Sequence, residues 1–162
     1  MKNYDTLETR PPEVREAALM AALPAQVAHA KSHAPAFAEL FKDVDAASVN
    51  SRAALAQLPV IRKYELLERQ KAARVAGGNV FGGFSTLGFG QGMTRVFASP
   101  GTIYEPEGTR ADYWRMARTM FAAGFRPGEL IHNCFSYHFT PAGSMMETGA
   151  HALGCTVFPG GI

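Results

Sequence analysis

The sequence predicts an α/β fold, with a helical N-terminal segment followed by part of a parallel βαβ sheet. Three observations carry this reading. Through residue 76, apolar residues recur at helical spacing in segments started by proline or serine. Residues 77–93 hold a run of glycines that separates this portion from the rest. From Thr94 onward, short apolar runs alternate with helical stretches in the order strand, helix, strand, helix, strand, the pattern that builds a parallel sheet. The expected organisation is therefore a helical segment (1–76), a Gly-rich linker (77–93) and a partial α/β subdomain (94–162).

Residues 11–33 read as an amphipathic helix. Pro11 and Pro12 suit its first turn, Glu13 and Glu16 suit its positive dipole end, and Pro24 predicts a kink or a division into two helices. A short helix follows Pro35. Ser51 caps another through Gln57, and Arg62 to Arg74 form a charged helix with Tyr64, Leu66 and Leu67 on its apolar side. In the second portion, Thr94–Ala98 reads as a strand, Thr109–Gly124 as a helix stopped by its glycine, and Glu129–Phe135 as a buried strand. Thr140 caps a helix that runs to about Leu153, and Cys155–Phe158 is the last strand.

With 162 residues, 47% hydrophobic and 19% charged, the chain can hold a real core. A net charge of +2 gives no electrostatic footprint for nucleic acid or a membrane surface. The polar start Met1-Lys2-Asn3-Tyr4-Asp5 has no apolar signal core, so a cytoplasmic location is expected. Cys134 and Cys155 lie in apolar surroundings and read as reduced, buried thiols. His29 and His33 sit four apart with no third ligand near, which argues against a metal site, and the glycines at 88–92 lack the strand and helix of a dinucleotide-binding turn.

The stretch Phe97-Ala98-Ser99-Pro100-Gly101-Thr102-Ile103-Tyr104-Glu105-Pro106-Glu107-Gly108 has two readings. One is a surface turn between a strand and a helix. The other is a reduced phosphate loop, in which Ser99, Gly101 and Thr102 supply hydroxyls and close-approaching backbone. Pro100 brings no N–H, and Glu105 and Glu107 stand where a phosphate would prefer a lysine. Further on, Asn133-Cys134-Phe135-Ser136-Tyr137-His138-Phe139 gathers aromatic rings and a histidine at a strand end. It reads either as a packed aromatic cluster or as the wall of a pocket for a flat, apolar acid. Both stretches follow strands, and in open parallel sheets ligands bind beyond the carboxyl ends of the strands.

Four segments, in order, resemble the phenylacetate–CoA ligase family of adenylate-forming enzymes. Ala98-Ser99-Pro100-Gly101-Thr102-Ile103-Tyr104-Glu105-Pro106 is similar to that family's Ser-Ser-Gly-Thr-Thr-Gly-Lys-Pro loop. The stretches Ala30–Phe37 and Leu58–Leu66 resemble an early helix end and an "LPFTTKEDL" run. Phe125–Gly143 resembles "GxRPGDxVHNxYGYGLFTGG" and is the most specific of the four.

The resemblance implies the incomplete N-terminal domain of an adenylate-forming enzyme. It implies a reaction in which an aromatic carboxylic acid attacks ATP to give an acyl-adenylate, whose acyl group then passes to CoA, with Mg²⁺ neutralising phosphate charge. It places the nucleotide's phosphates on Ser99, Gly101 and Thr102, and the aryl acid against Phe135, Tyr137, His138 and Phe139. No catalytic residue and no metal ligand is carried over, because the family's adenine pocket, Mg²⁺ carboxylate and mobile C-terminal lysine have no counterpart in these residues. The family's lysine falls at Glu105, which exchanges attraction for repulsion worth about 1–3 kcal/mol against a polyphosphate. Ser136 and His138 replace glycines, so the pocket has a different shape.

Family members are more than twice this length, so the chain reads as a fragment, a short gene product or one piece of a split protein, inactive by itself. The alternative is a ligand- or partner-binding module descended from such a ligase. In either case an incomplete sheet leaves an open edge that invites self-association.

Overall fold

The computed structural model describes residues 2–162 and divides into two units. One is Thr9–Thr86. The other is Leu87–Ile162 together with the stretch that ends at Glu8.

In the first unit, Pro12 opens α1 (Pro12–His33), which runs unbroken through Pro24. The expected division is absent because an interior proline removes a single ladder donor, and the rest of a long helix bridges that gap. Then follow α2 (Pro35–Leu40), a 3₁₀ turn at Ala46–Ser48, α3 (Arg52–Leu55) and α4 (Lys63–Val75). Ser51 Oγ accepts the Ala54 N–H at 3.1 Å, which is the expected cap. Val27, Phe41 and Val49 form the core, with Phe37, Leu40 and Leu58 packed around them. Tyr64, placed by periodicity on the apolar side of α4, is 66% exposed. Its ring lies in the first turn, ahead of the part of the helix that packs.

The second unit holds a hairpin and a βαβ element. The hairpin strands β1 (Met93–Ser99) and β2 (Ile103–Gly108) are antiparallel, with Ser99 opposite Ile103 and Arg95 opposite Glu107. The stretch read as a loop over 99–108 is therefore a strand from Ile103 onward. Only Pro100, Gly101 and Thr102 make the turn, closed by the Thr102 N–H donating to the Ser99 carbonyl at 3.0 Å. Pro100 presets the first turn position, and Gly101 takes φ +101°, which a side chain would oppose.

The helix expected over Thr109–Gly124 is shorter, α5 (Ala117–Ala122). Asp112 (φ +48°) and Arg115 (φ +60°) hold left-handed backbone that no helix accommodates. The Asp112 carboxylate instead accepts the Met116 N–H at 2.7 Å and the Ala117 N–H at 3.2 Å, satisfying the donors that α5 leaves open. At the other end, Gly124 and Phe125 donate to Phe121 and Met120, the paired bonds of a helix stopped at glycine.

β3 (Leu130–Asn133), α6 (Ala142–Leu153) and β4 (Thr156–Pro159) make the βαβ element. β3 and β4 are parallel, with Ile131 opposite Val157, and form a sheet separate from the hairpin. The single strand–helix–strand series is corrected accordingly: β1 pairs with β2, and the parallel geometry belongs to β3 and β4. Thr140 stands one residue too early to cap α6, which begins after Pro141.

The core here is Ala117, Met120, Phe121, Ile131, Ala150, Leu153 and Cys155, with Tyr4 packed against it. Burying a side chain such as Met120 or Phe121 contributes about 1.5–3 kcal/mol. The N-terminal stretch is held by Arg118, which pairs with both Asp5 and Glu8 and stacks over the Tyr4 ring at 5.0 Å. No helix among the described residues is long and apolar enough to cross a membrane. Cys155 is buried, but Cys134 is exposed, since it lies past the last paired residue of β3; both sulfurs are free thiols.

Candidate functional site

The hairpin and the segment after β3 meet directly. The Ala98 N–H, on β1, donates to the Phe139 carbonyl at 2.7 Å. This bond sets the Pro100–Thr102 turn beside the ring-bearing residues 135–139.

Along one face of the hairpin the pairing puts Ser99, Phe97 and Arg95 opposite Ile103, Glu105 and Glu107. Glu107 is 2% exposed. Its carboxylate accepts from Arg95 Nη1 at 2.5 Å, Trp114 Nε1 at 2.8 Å and Ser144 Oγ at 2.7 Å. Arg95 Nη1 also reaches Ser144 Oγ at 3.2 Å. A buried carboxylate is stable only when so fully partnered. Glu107 thus ties β2, β1 and α6 together.

Ser99, Gly101 and Thr102 lie together at the turn. Gly101 and Thr102 are exposed, while Ser99 Oγ donates to Glu105 Oε1 at 2.9 Å. A triphosphate does not fit this arrangement. The one hydroxyl on β1 that faces the turn already serves a carboxylate, that carboxylate repels phosphate, and the nearest cation along the strand, Arg95, is bound to Glu107.

The ring segment is positioned from α6. Gly143 N–H donates to the Ser136 carbonyl at 2.9 Å, and a Cβ on Gly143 would lie 2.7 Å from that oxygen and 2.9 Å from the Tyr137 ring. The chain packs here only because residue 143 has no side chain. Asn133, buried at the end of β3, donates Nδ2 to Tyr137 Oη at 2.7 Å and to the Gly143 carbonyl at 2.9 Å, and its Oδ1 accepts the Phe135 N–H at 3.2 Å. Burial, with Glu147 as hydrogen-bond partner and neighbouring charge, pushes the Tyr137 phenol up to about 12.

The four ring-segment residues are split between surfaces. Phe135 borders an apolar cavity of about 400 Å³ that also involves Met120, Phe125, Ile131, Met146 and Val157. Tyr137 borders a smaller polar cavity of about 120 Å³ with Arg95, Phe97, Ser144 and Glu147. His138 and Phe139 are exposed and border neither. Phe139 is 80% exposed and holds left-handed backbone (φ +53°), a conformation costing a bulky residue about 1–3 kcal/mol.

Sequence reasoning gave no structural role to Arg95 or to Glu107, the latter read only as an acid in the phosphate loop, nor to Asn133, Ser144 and Glu147. The first two were discoverable: a three-residue Pro-Gly turn fixes the register and sets Arg95 opposite Glu107. The others depend on how α6 lands on the strands. On α1, His29 and His33 stack with ring centroids 4.3 Å apart, and no group of three or more metal-type side chains occurs among the described residues.

No family model matches the chain. It is 28% identical over 166 residues to a phenylacetate-coenzyme A ligase of Thermus thermophilus, which covers 94% of this chain and 34% of that one. It is 30% identical over 142 residues to a phenylacetate-coenzyme A ligase of Aromatoleum evansii, covering 82% and 30%. Among solved structures, 2-hydroxyisobutyryl-CoA ligase in the postadenylation state with 2-HIB-AMP superposes with TM-score 0.86 at 23% identity, over 99% of this chain and 34% of that one. An open conformation of the same ligase with 2-HIB-AMP and CoA gives 0.85 at 22%, over 100% and 38%. The chain spans about a third of the length of the curated relatives it matches.

Proposed function

We propose that this chain, which is homologous to the N-terminal portion of the phenylacetate–CoA ligase-like, adenylate-forming enzymes, presents the acid-facing wall of such a ligase. The ligase as a whole joins an aromatic carboxylic acid to AMP and passes the acyl group to CoA. The observation that carries the reading is the Ala98–Phe139 backbone bond, which sets the turn of the hairpin beside the ring segment.

An aromatic acid suits this segment better than an aliphatic one. Phe135 and Phe139 offer exposed ring surface, 52% and 80%, and Tyr137 lies between them in the chain, its phenol held by Asn133. His138, exposed beside them, offers ring nitrogens that can hydrogen-bond a carboxylate.

By itself the chain does not form an acyl-adenylate. ATP, Mg²⁺ and CoA act in the ligase as a whole; here Ser99, Gly101 and Thr102 mark the former phosphate turn, and no step is assigned to them. The Ser99–Glu105 bond also favours a second reading, a binding module that takes the acid without ATP. In both readings the protein acts in the cytoplasm, and the open edges of the β3–β4 pair promote self-association, visible as concentration-dependent size in solution.

Calorimetric titration with phenylacetate and with 2-hydroxyisobutyrate, each with and without ATP–Mg²⁺, tests the proposal. Saturable binding of phenylacetate alone is expected, together with no pyrophosphate release above a heat-killed control. Preference for the aliphatic acid overturns the aromatic assignment, and pyrophosphate release overturns the claim of inactivity.

A further inference from the structure

We infer that Glu105 is an internal anion, filling the turn of the hairpin in place of a phosphate, so that the loss of polyphosphate binding resides in this one side chain and is reversible. The inference rests on the ligase reading above, and it names what occupies the former phosphate position.

The hairpin register puts Glu105 opposite Phe97 and one pair removed from Ser99 on the same face. This diagonal spacing is within reach of a long side chain. The contact is made: Ser99 Oγ donates to Glu105 Oε1 at 2.9 Å. Its other oxygen neighbour, the Ile103 carbonyl, is more distant at 3.4 Å, so the carboxylate is the hydroxyl's principal partner. The arrangement is that of a hydroxyl serving an anionic oxygen, with the anion supplied by the chain itself.

The second acid of the hairpin behaves differently. Glu107 is matched by Arg95, Trp114 and Ser144 and is neutralised where it stands. The hydrogen bonds at Glu105 and Ser99 include no cation. Its charge is therefore the one an incoming polyanion meets at the turn. Removing that charge frees the Ser99 hydroxyl and ends the repulsion beside the exposed Gly101–Thr102 turn, and replacing it with a cation adds attraction.

The test is binding of inorganic tripolyphosphate and of ATP–Mg²⁺ to the full 162-residue chain by calorimetry at low ionic strength. Compared are the native chain, Glu105→Gln, Glu105→Lys, Ser99→Ala in the Glu105→Gln background, and Asp43→Lys, which changes net charge equally from an exposed turn. Glu105→Lys is expected to bind tripolyphosphate at least about tenfold more tightly than the native chain. Glu105→Gln is expected to lie between them, and Ser99→Ala to erase its gain. Asp43→Lys is expected to match the native chain, and the gains are expected to fade in high salt.

Equal binding by the native chain and Glu105→Lys, or no gain in either Glu105 variant, overturns the inference. A gain from Asp43→Lys as large as from Glu105→Lys also overturns it. Thermal unfolding checks each variant, and if Glu105→Lys does not fold, the near-isosteric Glu105→Gln decides. Phenylacetate binding is read separately in the native chain, so failure of the ligase reading appears as loss of acid binding whatever the polyphosphate result.

Discussion

The hairpin and the ring segment touch at one backbone bond yet use their side chains in opposite ways. On the hairpin, the polar groups of the paired face are turned inward on one another: Ser99 on Glu105, and Glu107 on Arg95, Trp114 and Ser144. On the ring segment the backbone is tightly fixed by Asn133 and Gly143, while Phe135 and Phe139 stand 52% and 80% exposed. Polar groups that are satisfied internally serve the fold. Rings held in place without being covered are available to a ligand. A motif's residue types alone do not distinguish these uses; their partners do.

The comparison breaks most visibly at Glu107. Replacing it with alanine leaves Trp114 Nε1 and Ser144 Oγ without their acceptor and strands the Arg95 charge, so a loss of about 3–5 kcal/mol is expected in urea unfolding. Glu107→Gln, which keeps the shape and some of the bonds, is expected to cost less, about 1–3 kcal/mol. A loss under about 0.5 kcal/mol for the alanine variant would mean that the cluster does not hold the hairpin to α6.

The next effect is one of pH. Tyr137 ionises near 10 in an unfolded chain and only at about 12 in the fold, because burial and the Glu147 carboxylate both favour the neutral phenol. Its contribution to stability is whole below pH 10 and is lost as pH rises through about 12. Alkaline titration followed by phenolate absorbance is expected to show one tyrosine lagging the others, and Tyr137→Phe is expected to flatten the alkaline fall in stability. A titration in which all five tyrosines move together contradicts the positioning of the ring segment.

The smallest stability effect sharpens the contrast. Phe139→Gly relieves left-handed strain and gives up little buried surface, so a change within about 1 kcal/mol is expected. Phenylacetate affinity is expected to fall at the same time. A variant that binds the acid as the native chain does removes Phe139 from the site.

Much of the fold was legible in the sequence because its signals were local. Ser51 as a cap, Gly124 as a stop, and the strand–helix–strand run ending at Phe158 follow from spacing and turn chemistry within a few residues. The failures have physical causes. Asp112 looked like a residue of the first helical turn, yet its carboxylate works by capping α5 from four residues upstream, which requires a left-handed backbone that ends the helix there. Ile103–Gly108 looked like loop because Pro106 and two glutamates are poor strand formers, and the Arg95 pairing that makes Glu107 acceptable lies across the hairpin. Asn133 was legible only as part of a resemblance, since its role depends on where Gly143 and Tyr137 land.

The attachment of the first residues has a consequence for synthesis. Asp5 and Arg118 are 113 positions apart, and the whole of Thr9–Thr86 is made between them. During translation the helical unit emerges in full before the N-terminal stretch meets its partner. That stretch stays without its partner until α5 has been made, so the contacts of Asp5 and Glu8 with Arg118 close a loop that spans the entire helical unit.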